Sequence, residues 1–333
     1  MKNIVSFFGE QSDIFRQLNS EAGDYANSLG FSYRWAPQTP FNRDEVVALL
    51  RESDVGIIDV EPYGEDTFKE ISDTTKLLVR FGVGYENVNL AAATKYGIAV
   101  ARTTGANTLG VAEMALSLIL ASRRKIRANQ NCVASGTWKK NVANETIGST
   151  VGIVGFGAIG QAFADLLKGF NCTIVAYDPF PKLDLMEKKG VRLVNLETLF
   201  RSADVISIHV PYSAETHHLV NSRLLSLMKP TSVIVNTSRG NIVDENDLYD
   251  VLAANKIAGA GLDVFAKEPL PLNSPLLQLD NIVLTPHVSS QTVESLWRVY
   301  KMAIDISADF FSGKGSPHIL NPDYKNNILG GGA

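Results

Sequence analysis

The sequence predicts an α/β protein with two doubly wound parallel-sheet domains. Strand-like apolar runs alternate with helical patterns through most of the 333 residues, a length that suggests about two domains. A G-x-G-x-x-G pattern runs from Gly155 to Gly160, directly after the β-branched run that begins at Val151. Strand, glycines and helix in this order are typical of a Rossmann cofactor domain.

The first block of the chain forms a parallel α/β unit of its own. Its predicted strands cover residues 4–8, 54–59, 77–80 and 98–100. Predicted helices at 13–30 and 43–51 lie between the strands, and a long helix at 108–126 is expected to cross to the second block. Because strands and helices alternate, the strands are expected to be parallel.

The second block repeats this alternation and carries the glycine pattern. Its predicted strands are residues 150–154, 173–177, 204–209, 232–236, 258–262 and 281–284. Predicted helices include 193–201 and 245–254, and Asp244 is a good N-cap for the second of them. Six strands in this order suit a doubly wound dinucleotide fold.

The chain ends with an amphipathic helical pattern at 290–311, which has no domain of its own. We expect this helix to pack on the first block. The sequence therefore predicts a Rossmann cofactor domain at 102–285, inserted in a discontinuous flavodoxin-like domain formed by 1–101 and 286–333.

Composition excludes several classes of protein. The formal net charge is −4, and the basic cluster at 123–127 ends a helix, where solvated cations suit the dipole, so nucleic acid is not expected as a partner. Cys132 and Cys172 form no disulfide framework, and no Cys/His cluster has zinc spacing, so no metal is predicted. The apolar runs are too short for a signal peptide or a membrane span, so we expect a soluble cytoplasmic protein.

Each glycine of the pattern has a physical role in dinucleotide binding. Gly155 allows a tight turn, Gly157 lets the backbone approach a pyrophosphate, and Gly160 lets the helix pack close to the strand. The helix N-terminus then offers free N–H groups to the phosphates. Asp178 follows Gly160 by 18 residues, close to the spacing expected for a carboxylate that holds a ribose hydroxyl. A plain glycine turn is the alternative.

Polar residues that follow predicted strands are candidates for chemistry, because ligands bind beyond the carboxyl ends of strands in open α/β sheets. Arg239 offers a planar fork suited to a carboxylate, with a surface ion pair as the alternative. His287 suits acid/base chemistry because imidazole titrates near neutrality, with an ordinary loop histidine as the alternative.

Three further residues have weaker signals. Glu268 is expected to pair with His287 and orient its ring, unless it is an exposed loop acid before Pro269. Asp263 is expected to meet the nicotinamide amide or to shape the site, and a structural cap is the alternative. His209 ends a strand and either lines the nucleotide cleft or belongs to the core.

These segments resemble the D-isomer-specific 2-hydroxyacid dehydrogenases, the family of D-3-phosphoglycerate, D-glycerate and D-lactate dehydrogenases. The matching segments, in family order, are 80–89 (RFGVGYENVN), 111–113 (VAE), the glycine pattern, 236–244 (NTSRGNIVD), 261–265 (GLDVF), 268–269 (EP) and 285–287 (TPH). The resemblance implies the same split architecture, in which the discontinuous domain, 1–101 and 286–333, binds the substrate. Glu86 departs from the family, which more often has Asp there, and we expect this to affect loop packing only.

The resemblance also implies roles for individual residues. Arg239 would hold the substrate carboxylate, and His287 would exchange the hydroxyl proton with Glu268 as its partner. The backbone at Val83 and Gly84 would contact the substrate from the opposite domain. The residues implied in cofactor binding are Gly155, Gly157, Ala158, Ile159, Gly160, Asp178, Val210, Thr237, Arg239, Asp263 and His287.

The implied reaction is reversible hydride transfer between a nicotinamide and C2 of a D-2-hydroxy acid or 2-keto acid. NAD is favoured over NADP because Asp178 would repel a 2′-phosphate, and Pro179 and Phe180 offer no arginine to bind one. Two alternatives stay open. One is a nicotinamide-sensing protein with little turnover, similar to the C-terminal-binding corepressors, and the other is a formate or phosphite dehydrogenase relative.

The substrate and the assembly are less determined by the sequence. Arg80, Lys139 and Lys140 would favour a phosphorylated acid or else are surface charges, whereas Tyr63, Phe81 and Tyr85 would line a more apolar pocket. The resemblance is to the phosphoglycerate dehydrogenase-like members, and we expect no C-terminal regulatory domain. A homodimer is implied, with contacts expected at 108–126 and 132–142, where Trp138 is either an anchor or a core residue.

Overall fold

The computed structural model describes residues 1–328, which form two compact units. The first unit contains Met1–Asn107 and the described residues from Thr292 onward, and the second contains Thr108–Gln291. The first unit is therefore discontinuous in sequence. The chain passes from one unit to the other after Asn107 and after Gln291, a few residues beyond the predicted domain boundaries at 101 and 285.

The chain contains twelve strands and thirteen α-helices within residues 1–328. The strands are β1 (Lys2–Ser6), β2 (Phe31–Trp35), β3 (Val55–Ile58), β4 (Leu77–Arg80), β5 (Ala99–Arg102), β6 (Thr150–Val154), β7 (Thr173–Tyr177), β8 (Val191–Leu193), β9 (Val205–Ile208), β10 (Val233–Asn236), β11 (Gly259–Leu262) and β12 (Ile282–Leu284). The helices are α1 (Asp13–Ser28), α2 (Arg43–Leu50), α3 (Glu65–Ile71), α4 (Leu90–Lys95), α5 (Thr108–Arg123), α6 (Ile126–Ala134), α7 (Ala158–Leu166), α8 (Leu183–Lys188), α9 (Leu196–Ser202), α10 (Ser222–Leu225), α11 (Glu245–Ala253), α12 (Val293–Phe311) and α13 (Tyr324–Ile328).

The first unit is built on a parallel sheet in the order β2-β1-β3-β4-β5, which is the flavodoxin-like order. The predicted strand count for this block was wrong, because β2 was missed. β2 lies at the edge of the sheet and most of its residues are only partly buried, so it lacks a continuous apolar run.

Helix α12 packs its apolar face on the first unit. Leu296, Tyr300 and Ile304 are buried in one cluster with residues of α1 and the sheet. The Tyr300 hydroxyl donates to the carbonyl oxygen of Phe8 at 3.2 Å and accepts from the Asn19 amide at 3.0 Å. Helix α12 thus packs on the sheet formed by β1 to β5, although it lies about two hundred residues further along the chain.

The second unit is built on a parallel sheet in the order β12-β11-β10-β9-β6-β7-β8. If the strands of this unit are numbered 1 to 7 from β6 to β12, the order is 7-6-5-4-1-2-3. This is the doubly wound Rossmann order with one additional strand, β12, at the edge. The strand order reverses between β6 and β9, where such sheets bind ligands at their carboxyl ends. The predicted fold class, two doubly wound α/β domains, is confirmed.

Two element predictions in the second unit were wrong. The sheet has seven strands, not six. The edge strand β8 was missed because it is short and partly exposed, and the helix predicted to begin at 193 begins at Leu196, after the N-cap Asn195. The helix predicted at 108–126 ends at Arg123. A separate helix, α6, begins at Ile126, after Lys125 takes a left-handed conformation (φ 51°).

The basic cluster at the end of α5 is only partly the solvated helix end that the sequence predicts, since Arg124 is exposed but Arg123 and Arg127 bind carbonyl groups. Arg123 is only 7% exposed, and its guanidinium donates to the carbonyl oxygens of Asp204 and Glu145. Arg127 donates to the carbonyl oxygens of Leu277 and Ile282 at 2.8 and 3.2 Å. Arginines near a helix end cannot be assigned to solvent from sequence, because their long side chains reach buried carbonyls several elements away.

No helix within residues 1–328 combines the length and apolar character that a membrane span requires. The same part of the chain holds no group of His, Cys, Asp or Glu side chains arranged to bind a metal ion.

His209 is a core residue beneath the glycine loop. Its Nε2 lies 2.9 Å from the Ser207 hydroxyl, its ring packs against Phe163, and its Nδ1 has no partner in the described structure. Burial lowers the pKa of His209 to about 3, so the imidazole stays neutral in the folded unit.

This neutral histidine makes the second unit sensitive to acid. Unfolded His209 takes up a proton below its ordinary pKa of about 6.5, whereas the folded unit does not until about 3, so stability is lost as pH falls through this window. Between pH 7 and 5 the free energy of unfolding should fall about 2 kcal/mol more in the wild type than in His209→Asn. Urea denaturation at the two pH values measures this, and equal losses in both proteins would contradict the assignment.

Candidate active site

The glycine loop between β6 and α7 requires glycine where the chain turns. Gly155 has φ +96°, and a Cβ there would lie 2.7 Å from the backbone nitrogen of Val210. A Cβ on Gly160 would collide with the carbonyl oxygen of Gly155. These two positions let α7 begin close to the end of β6.

The start of α7 offers a cradle for an anion. A Cβ on Gly157 would meet nothing within 4 Å, so backbone is open to a ligand there. The peptide N–H groups of Gly157, Ala158 and Ile159 have no acceptor within residues 1–328. Unpaired N–H groups at the positive end of a helix dipole suit the pyrophosphate of a dinucleotide.

Asp178, at the end of β7, faces this loop. One carboxylate oxygen accepts from the Phe156 N–H at 2.7 Å, and the other accepts from the Phe180 N–H at 2.8 Å. Each oxygen keeps a further lone pair, so a ribose hydroxyl can still donate to it. The carboxylate thus has both a fixed position and spare acceptor capacity.

The segment that carries Arg239 is held by its own polar side chains. Asn236 ends β10, accepts from the Ser238 N–H at 3.0 Å and donates to the carbonyl oxygen of Arg239 at 2.9 Å. A Cβ on Gly240 would collide with the backbone of Phe265, so the chain after Arg239 lies directly against the segment before Glu268. The buried Thr237 hydroxyl has no partner among the described residues.

Glu268 and His287 form the pair that the sequence predicts. The Nδ1 atom of His287 lies 2.7 Å from Oε2 of Glu268, and Oε1 of Glu268 accepts from the Phe265 N–H at 2.9 Å. Both side chains are partly exposed, at 44% and 37%. The carboxylate therefore holds the ring through one nitrogen and leaves Nε2 for a reacting group.

Asp263, at the end of β11, organises the loop on which His287 lies. The Asp263 side chain is fully buried, and its carboxylate accepts from the Thr285 hydroxyl at 2.6 Å, the Val288 N–H at 2.9 Å and the Ser289 N–H at 2.8 Å. The Ser289 hydroxyl and the backbone of His287 add two more bonds to Asp263. These bonds hold His287 at a left-handed φ of 56°, a conformation that non-glycine residues seldom adopt.

In the first unit, the loop after β4 presents unpaired backbone donors. Gly82 has φ +120°, donates to the Thr103 hydroxyl at 2.8 Å and accepts from the Thr103 N–H at 3.1 Å. The next two N–H groups, of Val83 and Gly84, have no acceptor in the described part of the chain. Successive free N–H groups of this kind form an anion-binding concavity.

Several residues that were considered for the substrate pocket are either buried in the first unit or exposed on the second. Arg80 is 8% exposed and lies 3.4 Å from the Asp59 carboxylate. Tyr63 and Phe81 are core residues of the first unit, at 1% and 6% exposure. Lys139 and Lys140 are exposed in the second unit.

Sequence reasoning missed residues that hold the predicted site residues in place through hydrogen bonds. Asn236 donates to the carbonyl oxygen of Arg239, and the N–H and hydroxyl of Ser289 donate to the Asp263 carboxylate. Their only sequence signal is position: one ends a predicted strand, and the other follows His287 by two residues.

An acid–imidazole pair on the same sheet as a dinucleotide loop is the arrangement of an oxidoreductase that works with a nicotinamide cofactor. The family described as "D-isomer specific 2-hydroxyacid dehydrogenase, NAD binding domain" matches residues 116–289. The chain belongs to this family, as the resemblance predicts, and is an NAD-dependent 2-hydroxyacid dehydrogenase.

Individual relatives agree with the family match. The chain is 35% identical to a glyoxylate reductase of Korarchaeum cryptofilum over 87% of this chain and 89% of that protein. It is 36% identical to a D-3-phosphoglycerate dehydrogenase of Archaeoglobus fulgidus over 85% of this chain and 54% of that protein. The solved structure of a D-2-hydroxyisocaproate dehydrogenase aligns with a TM-score of 0.86 at 26% identity, over 96% of this chain and all of that one.

Replacing Asp263 with Ala should destabilise the second unit and displace His287. The change leaves buried donors of Thr285, Val288 and Ser289 without an acceptor, which costs about 3–5 kcal/mol in free energy of unfolding. Thermal and urea denaturation measure this cost, with Asp250→Ala on the exposed face of α11 as the control. A loss no larger than that of the control would show that Asp263 does not carry the loop.

Proposed function

We propose that the chain interconverts D-2-hydroxy acids and 2-keto acids, with His287 as the acid/base and Arg239 as the carboxylate-binding residue. The observation that supports this most is the Glu268–His287 pair at 2.7 Å, held beyond the strand ends of the sheet that also carries the glycine loop. An imidazole fixed through Nδ1 is suited to give or take a proton at Nε2. That proton would belong to the substrate hydroxyl.

Glu268 would act in two ways in this proposal. Its carboxylate orients the ring, because its other oxygen is fixed by the Phe265 N–H. It also accepts a hydrogen bond from Nδ1–H, so that Nε2 is the atom that gives the proton in the direction of keto-acid reduction. His287 would lose this proton to the product and regain it from solvent.

Arg239 would bind the substrate carboxylate and stabilise charge on the reacting carbonyl, since a guanidinium forms two parallel hydrogen bonds to such a group. The free N–H groups of Val83 and Gly84 support the further proposal that they also contact the substrate carboxylate.

The residues around the glycine loop fit the NAD that this family uses. We propose that Gly157, Ala158 and Ile159 cradle its pyrophosphate through their unpaired N–H groups, and that Gly155 and Gly160 form the tight turn that makes this approach possible. The remaining proposed contacts, nearer the ribose and the nicotinamide, are Asp178, Val210, Thr237, Arg239 and His287. Asp263, which is fully buried, would shape the site by holding the loop that carries His287. When bound, the nicotinamide accepts or supplies the hydride at C2.

Substitutions in the proposed machinery should remove turnover without removing cofactor binding. His287→Asn deletes the proton donor, and Arg239→Ala deletes the carboxylate ligand, so each should lower kcat/KM for the best 2-keto acid by about 100- to 10,000-fold. Steady-state reduction of a 2-keto acid panel, followed at the NADH absorbance, measures this.

The matched control for these variants is His217→Asn, a partly exposed histidine on another loop of the same unit. Its rates should equal those of the wild type. Near-normal turnover in both site variants would contradict the assigned roles. Tight NADH binding by the wild type with no turnover of any acid would favour the sensor, and oxidation of formate or phosphite alone would favour that group of relatives.

We also propose that the chain forms a homodimer, with contacts at 108–126 and 132–142 as the resemblance implies. Val133, Trp138, Val142 and Ile147 expose 64%, 75%, 87% and 65% of their surface, which is unusual for large apolar side chains so close in sequence. Trp138 is thus not a core residue of its own chain. A second copy of the chain would cover these side chains.

Light scattering after size exclusion tests the dimer. The wild type should have twice the mass of one chain, and the double variant Trp138→Ala/Val142→Ser should dissociate at micromolar concentration, because it loses two apolar contacts. Leu183→Ala, which shortens an equally exposed apolar side chain on α8, should stay dimeric. A wild type of single-chain mass would exclude the proposal.

A further inference from the structure

Arg102, the last residue of β5, is a half-buried cation beside the loop that follows β4. Its guanidinium lies 3.4 Å from the carbonyl oxygen of Val83 and 5.2 Å from the ring centre of Tyr85. No carboxylate lies within ion-pair distance of it in residues 1–328. A guanidinium that is partly withdrawn from water without a counter-charge is ready for an anionic ligand.

Its neighbour in the sheet has a different environment. Arg80 stands directly opposite Arg102 in the register of β4 and β5, yet it is buried and lies 3.4 Å from Asp59. Arg80 is therefore neutralised within the fold. Of the two arginines at this edge, Arg102 is the one whose charge is not balanced by a carboxylate.

Acidic groups at this edge lie on the other side of Arg80. Asp59 and Glu61 follow β3, which is separated from β5 by β4. Burial, and then the neighbouring Asp59 carboxylate, raises the pKa of Glu61, while Arg80 opposes this shift. At the carboxyl ends of the strands in the first sheet, acidic residues thus follow β3, and the basic residue Arg102 ends β5.

Arg102 adjoins the proposed carboxylate contact. Thr103, next to Arg102, fixes Gly82 through two hydrogen bonds, and the free N–H groups of Val83 and Gly84 follow directly. The guanidinium lies over the Tyr85 ring, at a distance suited to a cation–π contact. One short loop therefore combines two backbone donors with one oriented guanidinium.

We propose that Arg102 binds a second anionic group, either a phosphate ester or a distal carboxylate, on the 2-hydroxy acid substrate. This inference rests on the proposed function, in which Val83 and Gly84 contact the first carboxylate. Arg102 is then the residue that selects 2-keto acids with two negative groups over those with one. A planar guanidinium forms paired hydrogen bonds to carboxylate and to phosphate, so both chemistries fit the same residue.

The test compares four 2-keto acids with NADH. Glyoxylate and hydroxypyruvate carry one anionic group, 3-phosphohydroxypyruvate adds a phosphate, and oxaloacetate adds a carboxylate. The wild type should have a kcat/KM about tenfold or more higher for at least one doubly anionic acid, and the preferred one identifies the second group. Arg102→Gln should lower that value by about 10- to 100-fold, through KM, and leave the singly anionic acids within about threefold.

Two further variants separate binding from folding. Arg102→Lys keeps the charge and should recover part of the preference, whereas Arg34→Gln removes an exposed arginine of the same unit and should change nothing. An equal loss for all four acids would mean that Arg102 only shapes the loop, and a wild type that prefers the singly anionic acids would also overturn the inference. A wild type that reduces none of the four would overturn the proposed function itself, and the inference with it.

Discussion

The buried carboxylate of Asp263 is the constraint on which the chemistry of the second unit depends. It joins the end of β11 to the loop after β12 through donors from Thr285, Val288 and Ser289. A buried ionised group is tolerated only when its acceptor capacity is filled, and here the donors all come from the loop that presents His287. The strain of a left-handed histidine is thereby balanced by charge-assisted hydrogen bonds.

Around that anchor, each functional group lies where a parallel strand ends. The glycine loop follows β6, Asp178 follows β7, the Arg239 segment follows β10 and His287 follows β12. All strands of this sheet are parallel, so their carboxyl ends share one edge. The first unit repeats the principle with a smaller sheet, on which Val83 and Arg102 follow or end neighbouring strands.

This regularity explains what the sequence could predict. Buried strands leave short apolar runs, so a polar residue that follows such a run can be assigned to a strand end. Arg239 lies three residues after β10, and His287 lies three residues after β12. The edge strands β2 and β8 were not predicted, because their residues are partly exposed and do not form a continuous apolar run. The burial of Arg123 and the contrast between Arg80 and Arg102 could not be predicted, since each depends on partners distant in sequence. The fold and the catalytic candidates can be predicted from local sequence patterns. Which charged side chains are paired cannot be predicted in this way.

The unpaired N–H groups at the start of α7 also affect how long the protein persists. Only the folded unit assembles them, so a dinucleotide binds the native chain and not the unfolded one. By mass action, cofactor at a hundred times its Kd adds about 2.7 kcal/mol to the stability of that unit. Resistance to proteolysis would then rise and fall with the supply of nicotinamide cofactor, so the metabolic state of the cell would help to set the amount of enzyme.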